Sequence, residues 1–220
     1  MKLPFTPDEF FDVFVRYNQA VWPMQWLLFL AAAVAVGLLW GGGIWKDRAI
    51  GGTLAVLWVW MGVAYHLAAF ARINPAAWGF GAAFVAQGIL FAWFARAPRL
   101  RFGWRWKWRG MTGSVLLGYA LVLYPLLGWL AGHRYPASPT FGVPCPTTIF
   151  TVGLLCFAVP PIPRRLLVVP ILWSAIGALA AVRLGVPQDF GLLAAALVGI
   201  GLGVASHGPL THLPLAPHAR

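Results

Sequence analysis

The chain has 220 residues, of which 60% are hydrophobic and only 10% are charged, whereas about a quarter of the residues of a soluble domain carry a charge. This composition excludes a water-soluble globule. In a membrane protein, the net charge of +11 indicates short cytoplasmic loops rich in Lys and Arg rather than nucleic-acid binding. We therefore expect the lipid bilayer as a partner and no nucleic acid.

A short amphipathic helix is predicted over residues 6–20. Thr6 is followed by Pro7 and then by Glu9, the pattern of a capping box at a helix start. One apolar stripe follows at helical spacing, formed by Phe10, Val13, Phe14 and Tyr17. Because this helix is too short to cross a bilayer, we expect it either to lie in the membrane interface or to cover a helical bundle.

Long stretches without charged residues then predict about seven transmembrane helices, since about 20 apolar residues cross the hydrocarbon core. These spans are placed at 21–40, 50–71, 76–95, 111–131, 147–160, 166–184 and 190–206. The fifth span is short and bounded by prolines, which is typical of a broken or tilted helix. The sequence therefore predicts one all-α domain over residues 1–220, a polytopic membrane helical bundle.

Lys and Arg residues are distributed unequally between the two predicted sides of this bundle. Eleven of the sixteen lie on the side that contains the loop between the third and fourth spans. The positive-inside rule then places this loop and the C-terminus in the cytoplasm and the N-terminus outside.

That loop alternates basic and aromatic residues. Its predicted membrane anchors are Arg101, Trp104, Arg105, Trp106, Lys107, Trp108 and Arg109. In an extended chain this pattern separates indoles from cations, and we expect the loop 96–109 to lie on anionic lipids. Single-stranded nucleic acid is bound by the same residue types, but tryptophans near the ends of other spans favour an aromatic belt at the membrane.

All five acidic residues lie outside the predicted spans, at Asp8, Glu9, Asp12, Asp47 and Asp189. Carriers that use ion gradients usually keep an acidic residue at membrane depth, so this distribution argues against such a carrier. No predicted span contains a lysine, which excludes a retinal Schiff base.

The remaining polar candidates share the predicted external pole. They comprise His66, His133 and Cys145, with Tyr65 and Tyr135 as sequence neighbours. We predict a ligand site there and name the two histidines and the cysteine as metal ligands, because imidazole and thiolate suit soft or borderline metals. The alternative is that the histidines form hydrogen bonds within the bundle and the cysteine packs as an apolar side chain.

Cys145 has the most specific local pattern, because prolines flank it. With Pro146 at the first helical position, Cys145 becomes the N-cap, and its sulfur then faces unpaired N–H groups at the helix start. This placement predicts that Cys145 is more reactive than Cys156.

Two stretches of the sequence resemble a family of small bacterial multi-pass membrane proteins classified as a domain of unknown function. The first combines Leu3-Pro4-Phe5 with the residues from Tyr17 to Pro23. The second combines the residues from Gly132 to Pro136 with those from Phe141 to Thr148. The resemblance implies a bacterial inner-membrane protein, and it supplies no activity, cofactor or catalytic residue.

Three functions remain open at this point. The first is binding or transport of a small ligand or soft metal ion at the external pole. The second is an intramembrane enzyme with Cys145 as nucleophile or redox thiol and His66 or His133 as base. The third is a structural, lipid-interacting protein without chemistry. No catalytic motif is present, so a protein without catalysis is favoured and no cofactor is assigned.

Close helix contacts are indicated by glycine pairs four residues apart. These pairs are Gly37 with Gly41, Gly128 with Gly132, and Gly199 with Gly203. The contacts lie either within the bundle or between copies of a homo-oligomer.

Overall fold

The structure of the chain is a computed structural model that describes residues 4–96, 100–104 and 107–205. In this part of the chain the helices are α1 (Pro7–Ala20), α2 (Met24–Gly37), α3 (Ile44–Trp60), α4 (Ala77–Arg96), α5 (Trp108–Gly118), α6 (Tyr124–Leu130), α7 (Pro144–Leu155), α8 (Arg165–Leu184) and α9 (Gly191–Ala205). The same residues contain no strand, only isolated bridges. The predicted all-α polytopic bundle is therefore confirmed.

Helix α1 begins as its sequence pattern predicts. The Thr6 hydroxyl accepts a hydrogen bond from the Glu9 backbone N–H, and the Glu9 carboxylate accepts one from the Thr6 N–H at 2.8 Å. These reciprocal bonds satisfy two donors that a helix start leaves open. The predicted apolar stripe, including Phe14 and Tyr17, is buried against the rest of the bundle.

The bundle has two poles, which we name after their contents. The α1 pole contains α1 and the loop 131–143, joined by the Asn18 side chain, whose amide donates to the carbonyls of Pro136 and Ser138 at 2.7 and 2.8 Å. The basic pole contains residues 100–104. There the Phe102 N–H donates to Asp47 at 2.9 Å.

Within residues 4–96, 100–104 and 107–205, five helical segments are long and apolar enough to cross a membrane. They are Ile44–Arg72, Ala77–Arg96, Trp108–Leu130, Arg165–Leu184 and Pro187–Ala205. A sixth crossing results if α1 and the segment Met24–Trp40, which meet at a bend of 85°, are one broken span. By length and composition, the described residues thus offer five crossings, or six with the bent pair, and the first and fifth predicted spans correspond to the shorter segments Met24–Trp40 and Pro144–Leu155.

Helix α7 is short because it lies inside the protein. It packs against α5, α8 and α9, and all of its residues except Cys145 are buried. Its chain continues without a helix towards the basic pole, where Ala158 pairs with Phe102. A helix surrounded by other helices can end early, because neighbouring segments satisfy its freed backbone groups.

At the basic pole, residues 101–104 are bonded to the protein instead of forming a free extended segment on lipid. The Val159 N–H donates to the Arg101 carbonyl at 2.7 Å, and Trp104 stacks on Trp40 and Phe157 with ring centroids 4.2 and 4.9 Å away. Arg109 donates to the Ala158 carbonyl at 3.1 Å.

The predicted anchors of this loop therefore divide into two groups. Trp104 and Arg109 contact the protein, because the loop pairs with the chain after α7. Arg101, Lys107 and Trp108 are exposed and stay candidates for lipid contact. Arg105 and Trp106 lie outside the described residues.

Two spans contain π-helical segments, and both segments lie towards the α1 pole. Met61–Leu67 continues α3, and Tyr119–Leu123 joins α5 to α6. Single π-helical turns within α-helices are frequent at functional sites because they redirect side chains. The first segment contains Tyr65 and His66, and the second ends immediately before Tyr124.

Candidate functional site at the α1 pole

An aromatic cavity of about 360 Å³ lies beneath α1. Its rings come from four parts of the chain and include Phe10, Phe14, Tyr65, Phe70, Phe80 and Trp173. Helix α1 forms one wall because its buried stripe faces the π-helical segment that continues α3. The ring centroids of Phe14 on α1 and Tyr65 on that segment lie 6.0 Å apart. The volume falls within the usual range of small-molecule pockets.

One carboxylate, that of Asp189, lines this cavity. Asp189 belongs to a 3-10 turn, Pro187–Phe190, that precedes α9, and only 5% of its surface is exposed. The Tyr124 hydroxyl donates a hydrogen bond to Asp189 Oδ1, and the Cys145 thiol lies beside the same carboxyl group. Asp189 therefore has polar neighbours from two other helices.

The other side of Cys145 faces α8. A Cβ atom placed on Gly177 would lie 3.6 Å from the Cys145 sulfur and 3.8 Å from the Trp173 indole nitrogen. The Trp173 N–H lies near the sulfur but makes no hydrogen bond of normal geometry with any described residue. This buried donor remains available to an acceptor in the cavity.

His66 lies behind Trp173, away from the cavity lining. Its ring is fully buried between Phe84 and Trp173, with centroids 4.5 and 4.9 Å away. Neither ring nitrogen has a hydrogen-bond partner among the described residues. His66 thus supports the aromatic wall and is not positioned as a ligand at its surface.

A second cavity, which we call the lateral cavity, has a volume of about 550 Å³ and lies between α2, α6 and the loop 131–143. His133 and Tyr135 line it, together with Gln188 and Tyr124. The Gln188 side-chain nitrogen lies 3.3 Å from His133 Nδ1, and the His133 ring also packs on Phe11 at 4.7 Å.

The two cavities share a wall. Tyr124 lines the lateral cavity and Asp189 lines the aromatic cavity, so the hydrogen bond between them crosses the wall. The neighbouring residue Gln188 faces the lateral side while Asp189 faces the aromatic side.

The predicted site residues are divided between these two cavities. Tyr65 and Cys145 line the aromatic cavity, whereas His133 and Tyr135 line the lateral cavity, and His66 lines neither. Within the described residues, no group of three His, Cys, Asp or Glu side chains could hold a metal ion. The structure therefore does not assemble His66, His133 and Cys145 into the predicted metal site.

The predicted N-cap position of Cys145 is wrong by two residues. Val143 is the N-cap of α7, and the helix begins at Pro144. Pro144 takes the first helical position, where its fixed φ and missing N–H cost nothing. Cys145 is thus a residue of the first turn, and its sulfur faces Asp189 and Trp173 rather than open backbone N–H groups.

Asp189, Tyr124 and Trp173 are the site residues that sequence reasoning missed. The charge-free stretches leave Asp189 just outside the seventh predicted span, whereas the structure has it in the candidate span Pro187–Ala205. One signal was available, since Asp189 is the only acidic residue after Asp47. A single acid beside a long apolar stretch is a functional candidate by default.

Comparison with known proteins identifies a family without an assigned activity. Residues 7–207 match the model of a family described as a family of unknown function (DUF6064). No curated protein and no solved structure matches the chain.

Proposed function

Because the chain belongs to the DUF6064 family, a family of unknown function, we propose from its site alone that this integral membrane protein binds or transports a small organic ligand in the aromatic cavity. The observation that carries this proposal is a buried carboxylate in the lining of a mainly apolar cavity of about 360 Å³. Convergent polar groups in an apolar pocket are the usual form of a ligand site.

The proposal favours an organic ligand over the soft metal ion that the sequence suggested. In the described part of the cavity lining, Cys145 and Asp189 are the only thiol and carboxyl groups, and two ligands are fewer than the four usual in a zinc site. The aromatic walls instead suit a ligand with an apolar body.

We also propose that the α1 pole faces the outside of a bacterial inner membrane. The unequal distribution of Lys and Arg supports this orientation. Cysteine reagents that cannot cross the membrane test it: a cysteine at exposed Gln19 should react in intact cells, and one at exposed Lys107 should react only after lysis. Reaction of the Lys107 cysteine alone in intact cells would reverse the orientation.

The ligand site is tested with Cys145 as its reporter. In a Cys156→Ser background, we expect the neutral thiol reagent monobromobimane to label Cys145 through the cavity. Ala180 lines the cavity, whereas the adjacent Leu179 is 73% exposed on the outer surface of α8. Ala180→Phe should therefore slow labelling roughly tenfold or more by filling the cavity, and Leu179→Phe should not.

Native mass spectrometry of the same variants tests binding itself. A small molecule that copurifies with the parent protein should remain with Leu179→Phe and be lost from Ala180→Phe. Ala76→Phe, at another position of the cavity lining, serves as a second cavity variant. The proposal fails if both filled variants retain the parent's labelling rate and bound molecule.

A further inference from the structure

We infer that the aromatic cavity selects an organic cation, a ligand with an ammonium group on an apolar body. The inference rests on the proposed ligand site and specifies the charge of its occupant. It depends on the single carboxylate of the cavity and on the rings around it.

The charge of the cavity lining has one sign. Among the residues that the structure describes, Asp189 is the only carboxylic acid of the lining, and no Lys, Arg or His lines the cavity. Within the described residues, Asp189 has the Tyr124 phenol and the Cys145 thiol as neighbours and forms no salt bridge. A buried carboxylate without a cation is costly, and a cationic ligand would supply the missing charge.

The walls provide the second part of the recognition. Rings of Phe, Tyr and Trp attract cations through their faces, most strongly where water is excluded. Phe80 and Trp173 meet edge to face with centroids 5.3 Å apart, and Tyr65 stacks on Phe70 at 5.8 Å. Rings on several sides with one carboxylate form a cage suited to an ammonium group.

A metal cation fits this cavity less well than an organic one. Hard metal ions take six or more oxygen ligands, and the lining offers one carboxylate among mainly apolar side chains. The cavity volume also exceeds the space that a bare ion needs. An apolar body fills this volume, while the ammonium group pairs with Asp189.

Thiol reagents of different charge test the inference in the Cys156→Ser background. The probes are methanethiosulfonates carrying a trimethylammonium group or a sulfonate group, and 2-mercaptoethanol gives their intrinsic reactivity ratio. We expect Cys145 to react at least roughly tenfold faster with the cationic reagent after this correction. An unchanged ratio, or a preference for the sulfonate reagent, would overturn the inference.

Three variants identify the source of the preference. Asp189→Asn retains the shape of the side chain and should remove the preference. Tyr124→Phe removes the hydrogen bond to Asp189 but not the charge, so the preference should remain. Asp12→Asn removes an exposed acid of the same pole and should have no effect. If Asp12→Asn abolishes the preference as fully as Asp189→Asn, the selectivity belongs to the surface and the inference fails.

Reversible protection separates this inference from the proposed ligand site. Benzyltrimethylammonium and benzyl alcohol are the probes, and the readout is protection of Cys145 from a neutral methanethiosulfonate. Protection by the cation alone, lost in Asp189→Asn, supports the inference. Equal protection by both probes, lost in Ala180→Phe, overturns the selectivity for a cation but still supports the ligand site. Absence of protection by either probe, with unchanged labelling in Ala180→Phe, refutes both proposals.

Discussion

Replacing Gly88 by Ala should destabilise the bundle, because Gly88 lies where α4 touches the backbone of α3. A Cβ atom at Gly88 would lie 2.9 Å from the Ala55 carbonyl oxygen, 2.9 Å from the Val59 nitrogen and 2.6 Å from a Val59 methyl group. Two of these three atoms belong to the backbone and cannot rotate away. The helices must therefore move apart by about half an ångström, which forfeits a quarter or more of each nearby dispersion contact.

The expected size of the effect follows from two opposing terms. Overpacking costs roughly 1–3 kcal/mol, while Ala improves helix propensity over Gly by up to about 1 kcal/mol. We therefore expect Gly88→Ala to lose up to about 2 kcal/mol against the parent and roughly 1–3 kcal/mol against a variant that keeps the propensity gain without the overpacking. Gly52, in the interior of α3, has nothing within 4 Å of its Cβ position, so Gly52→Ala should keep the propensity gain and serve as the matched control.

The assay is unfolding by sodium dodecyl sulfate from mild detergent micelles, followed by circular dichroism. Gly88→Ala should unfold at a lower denaturant fraction than the parent, and Gly52→Ala at an equal or higher one. If Gly88→Ala unfolds at the same denaturant fraction as Gly52→Ala, the close contact of Gly88 with the α3 backbone does not limit stability.

Two further predictions concern the ends of the bundle. Asp47 is buried beside Lys46, whose Nζ lies 3.8 Å from Asp47 Oδ1 and donates to the Phe102 carbonyl at 2.6 Å. Asp47→Asn should therefore cost about 3–5 kcal/mol in the same unfolding assay, because it leaves the Lys46 charge buried without a partner. The double variant Lys46→Met with Asp47→Asn should recover part of that loss. Hydrogen bonds from Thr6 lower the pKa of Glu9 below its ordinary value, so the capping box stabilises α1 above that ordinary pKa and is lost as the pH falls through the lowered pKa. Hydrogen exchange of the α1 amides, corrected for intrinsic rates, should show this acid-dependent opening in the parent protein, whereas Glu9→Gln should show little pH dependence.

The sequence predicted the elements whose signals are local. The capping box of Thr6 and Glu9 and the buried stripe of α1 depend on residues a few positions apart, and both occur in the structure. The membrane character of the long helices follows from composition alone. The sequence also predicts that the fifth span is short, because prolines bound it, and α7 is a helix of 12 residues.

Such local signals do not predict the contacts between segments that are distant in the sequence. The glycine pairs chosen by spacing lie outside the close contact between α3 and α4, and Gly37 has nothing within 4 Å of its Cβ position. In that contact Gly88 lies against Ala55 and Val59 of α3, and Gly81 lies against Gly62 of the π-helical segment that continues α3. Small residues permit close approach but do not specify a partner helix, so spacing alone could not select among many glycines.

The site shows the same limit for polar residues. Asp189 meets Tyr124 and Cys145, which precede it by 65 and 44 positions, because the 3-10 turn at Pro187 directs its side chain inward. A sequence pattern records no such turn, and a carboxylate next to a predicted span end is normally exposed. His66 and His133 also lie towards one pole, but the His66 ring is buried between Phe84 and Trp173 while His133 lines the lateral cavity.

The effect of Asp189→Asn on the free energy of unfolding distinguishes a ligand site from a structural role of this carboxylate. A buried charge with no opposite charge costs free energy. In Asp189→Asn the side-chain oxygen can still accept a hydrogen bond from the Tyr124 hydroxyl, but the side chain no longer carries a negative charge. If the carboxylate serves a ligand, the ligand-free Asp189→Asn protein should be as stable as the parent or more stable, as is common when a functional residue is removed. If the carboxylate instead holds the α1 pole together, Asp189→Asn should lose roughly 2 kcal/mol or more. Unfolding of ligand-free protein in dodecyl sulfate measures the difference, and a loss of that size would remove the main support for the ligand site.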